Sequence, residues 1–117
     1  MSQAYCDALS RATGKGAVIC DSSTVLGASG AQFRELVGED ISDKLYDVLD
    51  LRKAGAPDYP VQIVSDVPAN CKNQHIVPLI VGGDLYGGVV LCSDAAISAT
   101  EARLCALAAD LIAATLE

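Results

Sequence analysis

The sequence predicts an α/β chain of the α+β kind: a central, mostly antiparallel sheet of five to six strands. Terminal helices are expected on one face of the sheet and a helical and loop crossover on the other. Three observations carry this. Short apolar runs rich in β-branched residues follow one another with only turn residues between them, which favours antiparallel neighbours. The runs at 74–81 and 85–93 are apolar at nearly every position instead of alternating, so both faces of the sheet must be covered. The clearest helical periodicities stand at the two ends of the chain.

Residues 2–13 read as the first helix, with Ala4, Tyr5, Ala8, Leu9 and Ala12 on one stripe and Gly14 as the stop. Ala17–Cys20 reads as a strand, Asp21-Ser22-Ser23 as a turn, and Thr24–Ala28 as the return strand. Ala31–Val37 is long enough for two helical turns ending at Gly38. Ser42 is an N-cap candidate for a helix over 42–53 that carries Leu45, Tyr46 and Leu49. A loop spans 54–60, a short strand 61–64, and a polar loop 66–73. Gly82-Gly83-Asp84 then turns a hairpin, and Ser98 with Glu101 forms a capping box for a helix over 99–116.

The chain has 117 residues, enough for a single domain over 1–117 that buries a core without disulfide staples. Net charge is −7, and the eight basic residues are scattered apart from Arg52-Lys53, which argues against direct nucleic-acid binding. No apolar run reaches the ~18 residues that a membrane span needs. The first residues lack the basic and apolar regions of a secretion signal, so a cytoplasmic location is expected. Five cysteines without C-x-x-C spacing fit free thiols in a reducing compartment.

The last helix is apolar almost all round. Leu104, Cys105, Ala108, Leu111 and Ile112 line one side, and Ala102, Ala106, Ala109 and Ala113 form a second stripe that would let another helix approach closely. One face can cover the sheet; the other calls for a partner. The expectation is a homodimer through the terminal helices, with Tyr5, Leu9, Ala102, Ala106, Ala109 and Ala113 at the interface. The alternative is a core entirely within one chain.

The run from Pro78 to Leu91, with its Gly82-Gly83-Asp84 turn and Gly87-Gly88 pair, resembles the central hairpin of GAF domains, which are small sensory modules. Further features extend that likeness. Tyr5-Cys6-Asp7-Ala8-Leu9, Val18-Ile19-Cys20-Asp21, Ser29-Gly30, Val89-Val90 and Ser93-Asp94 together resemble the GAF-like C-terminal domain family of stage V sporulation protein T. The resemblance implies a GAF-like fold, assembly, sensing of a small metabolite, and a regulatory role in transcription or sporulation. A DNA-binding segment precedes this domain in that family. Here the sequence leaves open a piece of such a regulator or a sensor that acts through a protein partner.

The fold that the resemblance implies places a ligand between the sheet and the 31–73 crossover. Candidate contacts there are Phe33, Tyr46, Arg52, Tyr59, Cys71 and His75, and the arginine would suit a small carboxylate or an amino-acid-like metabolite. The Asn-Lys-Phe-Asp-Glu signature of cyclic-nucleotide GAF domains is absent. With no tryptophan and one phenylalanine the chain is poorly equipped to stack a tetrapyrrole. Cys71 and His75 could form a thiolate–imidazole pair, but an ordinary strand-edge histidine is the simpler reading. Some GAF-fold proteins reduce free methionine sulfoxide with loop cysteines. Here Cys71 alone falls in a pocket loop, with no resolving partner evident, so a thiol reductase is the alternative and no catalytic residue is assigned. Gly14-Lys15-Gly16 is too short to cradle phosphates, and Gly87-Gly88 suits close packing of the last helix or a bulge better than ligand approach. Asp40, Asp43, Asp47 and Asp50 follow helical spacing on a solvated face, so neither a metal nor a cofactor is expected.

Overall fold

The computed structural model describes residues 2–117. Helix α1 (Ser2–Thr13) leads into strands β1 (Gly16–Asp21) and β2 (Val25–Ser29). A 3-10 turn at Arg34–Leu36 and helix α2 (Asp43–Asp50) make up the ordered part of the crossover. Strands β3 (Asn73–Val81) and β4 (Asp84–Ser93) and helix α3 (Ala99–Leu116) complete the chain. The four strands form one antiparallel sheet in the order β2-β1-β4-β3.

Strand alternation divides the core into two layers. Val18 and Cys20 of β1, Ile76 of β3, and Val90 and Cys92 of β4 face the crossover, where they meet Phe33, Leu36, Leu45, Leu49, Ile63 and Val64. Ala17 and Ile19, Val77 and Leu79, and Val89 and Leu91 face the terminal helices, where they meet Leu9, Cys105, Ala109 and Ile112. Burial on both faces explains why the hairpin strands lack polar alternation, and it bears out the expected three layers.

The hairpin turns at Gly82 and Gly83, with φ of 59° and 84°. Two successive positive φ values match the right-handed twist of the flanking strands, and glycine adopts them without a Cβ penalty. Both predicted helix starts hold. Leu45 N–H donates to Ser42 Oγ at 3.0 Å. Ser98 and Glu101 cap reciprocally, at 3.1 Å from Glu101 N–H to Ser98 Oγ and 2.8 Å from Ser98 N–H to Glu101 Oε1.

The strand count is corrected from five or six to four, because 61–64 does not join the sheet. It makes a single bridge, Val64 to Ile41. The buried Gln74 side chain takes the place of a strand partner: Val61 N–H donates to Gln74 Oε1 at 2.8 Å, and Gln74 Nε2 donates to Val61 C=O at 2.8 Å. Ser42 adds a bond from its Oγ to Gln62 C=O. The opposite edge has the same device, where the Gln3 amide donates to Ala28 C=O at 2.7 Å and accepts from Ala28 N–H at 3.1 Å. Side chains thus occupy edge positions that could otherwise pair with another chain.

The expected helix at 31–37 shrinks to one 3-10 turn at Arg34–Leu36, and the residues just after it, Gly38 and Glu39, are held by β2. Val25 N–H donates to Glu39 C=O at 2.9 Å, and Gly38 N–H donates to Val25 C=O at 2.9 Å. Helix α2 stops before 53, since Arg52 takes a left-handed φ of 58°. The Gly87-Gly88 pair adjoins a bulge, one of the two expected readings, since Leu79 pairs with Gly87 and Ile80 with Leu85; its close packing differs from the other. A Cβ on Gly88 would strike Leu49 of α2, not the last helix, and a Cβ on Gly87 would strike the β1 backbone at Cys20 and Asp21. No helix among the described residues is long and apolar enough to cross a membrane.

Candidate functional site

A cavity of about 280 Å³ opens where α1, the sheet and the crossover meet. Its floor begins at Gly14, Lys15 and Gly16, which follow the end of α1. One wall is Gly30 to Phe33, after β2; the other is Asn70 and Cys71 facing Cys92, Ser93 and Asp94 at the end of β4. Gly30 (φ 115°) and Gly16 let the Phe33 ring lie flat against the backbone, since a Cβ on Gly16 would overlap that ring. Asn70 adopts φ 57°, a left-handed turn that asparagine tolerates, just before Cys71 in the wall.

Charge at the site is largely neutralised. Lys15 Nζ lies 2.8 Å from Glu101 Oε2, pinning the start of β1 to the first turn of α3. The Lys15 hydrogen bond, followed by that from Ser98, holds the Glu101 carboxyl below its usual range. Asp94 leaves an acidic rim, while Ser10 and Asn70 offer neutral polar groups.

The cavity wall also holds two thiols. Cys71 is half-buried and Cys92 buried, and both are free. A hydrogen bond from Cys92 is the main influence holding the Cys71 thiol down at about 7, helped by the Gln74 side chain and the Ser93 backbone. The same shared proton, and then burial, pushes Cys92 upward. Cys6, Cys20 and Cys105 are each raised to about 12 by burial in the two cores.

The six predicted ligand contacts do not converge. Phe33 and Cys71 share the cavity. Tyr46 stands on the outer side of α2 beside Ser22 and Ser23, and Tyr59 is 81% exposed in its loop. Arg52 reaches the hairpin tip, where Nη1 donates to Gly83 C=O at 2.7 Å. That removes the arginine that would bind a carboxylate ligand. His75 pairs across the sheet with Leu91 and shares the helix face with Val77 and Leu79, so it points away from Cys71. Burial lowers its pKa. The space directly between sheet and crossover is filled by Leu36, Leu45, Leu49, Ile63 and Val64, leaving a gap of about 20 Å³ beside Phe33.

Sequence reading missed Ser10, Lys15, Asn70, Cys92 and Asp94. Strand alternation could have placed Cys92 on the crossover face with Val90. Nothing local marked the others, which come from separate segments. Among the described residues no cluster of three or more His, Cys, Asp or Glu could hold a metal.

The terminal helices also differ in detail from the expectation. Ala109 and Leu9 are buried in the chain's own core, at 3% and 4% exposure, and are closed to a partner. Ala102, Ala106 and Ala113 are half-buried along one flank of α3. The exposed apolar ridge is instead Leu107 and Leu111, at 53% and 49% exposure. With Leu104 they border a groove against Tyr5, Ala8 and Ala12 of α1.

A four-stranded antiparallel sheet between terminal helices and a crossover defines a GAF-like fold. The GAF domain of the nutrient sensor CodY from Clostridium difficile superposes with a TM-score of 0.76 at 14% identity, over 98% of this chain and 83% of that one. The second GAF domain of DevS from Mycobacterium smegmatis gives 0.74 at 15% identity, over 97% and 88%. The chain belongs to the stage V sporulation protein T C-terminal, transcription factor family, whose profile matches residues 1–117. It is 27% identical over 116 residues to stage V sporulation protein T of Bacillus subtilis (strain 168), covering 97% of this chain and 65% of that protein's length.

Proposed function

We propose that this domain senses a small polar metabolite and dimerises, serving a cytoplasmic regulator of transcription or sporulation without catalysing a reaction. The cavity at the end of the sheet carries this reading. Its 280 Å³ suits a ligand at the small end of the usual range, and its walls come from α1, the crossover and β4. A ligand that orders those walls bears directly on the end of α1. Helix α1 in turn builds the apolar groove with α3, so occupancy and assembly share one element. The CodY domain, a cofactor-binding GAF domain of a nutrient sensor, supports a sensing role for this fold. The separation of His75 from Cys71 leaves the thiol without an imidazole base, which supports a non-catalytic role.

A thermal-shift screen against amino acids, nucleotides and small neutral metabolites tests the reading. A ligand at a hundred times its Kd adds about 2.7 kcal/mol, a rise of roughly ten degrees for a chain of this size. The shift is expected to vanish in Asn70→Gly combined with Asp94→Ala. Glycine keeps the positive φ at 70, so the wall persists while its polar groups go. A stable protein with no hit across the screen would defeat the sensing role and leave assembly alone.

The groove carries the dimer. Leu107→Glu with Leu111→Glu places charges on an exposed ridge that the monomer does not need for its core. Sedimentation is expected to show a dimer for the parent and a folded monomer for the variant. A monomeric parent would overturn the assembly proposal.

A further inference from the structure

We infer that Cys71 and Cys92 form a peroxide-reactive dithiol in the cavity wall, with Cys71 as the attacking sulfur and Cys92 as the resolving one. The pair is a stoichiometric modification site, and it stands whether or not a metabolite binds the same cavity.

Placement carries the assignment. Cys71 sits in the loop before β3, half-buried and open to the cavity, where a small oxidant can reach it. Cys92 lies behind it on β4, 2% exposed, lining the same cavity and belonging to the core cluster against which Cys71 packs. Gln74 Nε2 lies 3.8 Å from Cys92 Sγ and, held by its two bonds to Val61, fixes the sulfur in place. The remaining thiols are sealed: Cys6, Cys20 and Cys105 are all 0% exposed and lie in the cores. One cysteine is thus accessible from the cavity, and a second, buried one lines the same wall.

The chemistry balances with a hydroperoxide as the sole oxidant. The Cys71 thiolate attacks the terminal peroxide oxygen, the O–O bond breaks, and the departing alkoxide or hydroxide takes a proton from water. Cys71 is then a sulfenic acid. The Cys92 sulfur attacks the Cys71 sulfur, an S–S bond forms, and hydroxide leaves with the Cys92 proton as water. Two thiols are oxidised by two electrons and one peroxide is reduced. The disulfide would tie the loop carrying Asn70 to β4, fixing one wall of the cavity, and an external dithiol reverses it.

The test treats the reduced domain with one equivalent of hydrogen peroxide and then maps its thiols. Three of the five thiols are expected to remain titratable after denaturation, with a peptide cross-linked between Cys71 and Cys92. In Cys92→Ala, a sulfenic acid at Cys71 is expected to persist and be trapped by dimedone. In Cys71→Ser, oxidation is expected to slow roughly tenfold or more. Native-state alkylation supplies a second readout, with Cys71 reacting first and its rate rising through about pH 7. Equal oxidation of parent and Cys71→Ser would overturn the proposal. So would over-oxidation of Cys71 in the parent without a cross-link. Neither result depends on finding a metabolite, so failure here is distinct from failure of the sensing role.

Discussion

Gly87→Ala is expected to destabilise the domain by about 4 kcal/mol and to lower Tm by roughly 15 °C. The reason is backbone meeting backbone. A Cβ at 87 would lie 2.6 Å from Asp21 Cα and 2.7 Å from Cys20 C, inside the β1–β4 pairing. Neither strand can withdraw without breaking the register that joins the two halves of the sheet. Gly88→Ala makes the control. Its Cβ would meet the Leu49 side chain, which can change rotamer, so a cost of about 1–2 kcal/mol is expected. Urea denaturation of both variants decides the matter, and equal costs would refute this account of the pair.

Gln74→Leu is expected to cost about 3 kcal/mol, because it leaves the N–H and C=O of Val61 without partners in a partly buried site. The loss should be local as well as global. Hydrogen exchange over 61–64 is expected to rise, since this segment's remaining ties are Ser42 to Gln62 and Ile63 and the single Ile41 bridge. Gln3→Leu is the comparison at the other edge. Ala28 is also paired with Val18 of β1, so the β2 edge stays anchored and a cost nearer ~1 kcal/mol is expected. If Gln74→Leu were neutral, the view of its amide as a surrogate strand partner would fail.

These two glutamines also show where sequence reading stops. Glutamine carries no pattern that announces a pairing with one residue's N–H and C=O thirteen positions earlier. Val61–Val64 has the pattern of a strand because it is apolar and bounded by loops. It is buried for the same reason, but a side chain satisfies its backbone and it never enters the sheet. His75 matches the simpler expectation: it is a strand-edge histidine, and Cys71 stays in the loop before β3, where strand alternation does not govern it. The charge of Arg52 suits a pocket, but the left-handed turn after α2 sends it to the hairpin tip.

Resemblance to a known family supplies the GAF-like class; the residues themselves carry the hairpin with its glycine turn, the helix starts at Ser42 and Ser98, and the need to cover both sheet faces. These rest on local chemistry and short periodicities, which act before distant segments meet. Long-range packing sets which surface of α3 stays exposed, which carbonyls the two glutamines complete, and which residues share a cavity. Ser10, Gly16, Gly30, Asn70, Cys71 and Cys92 come together there from five separate stretches of chain. Their proximity is set by how strand ends and loops close against one another, a long-range outcome that no window of neighbouring residues encodes.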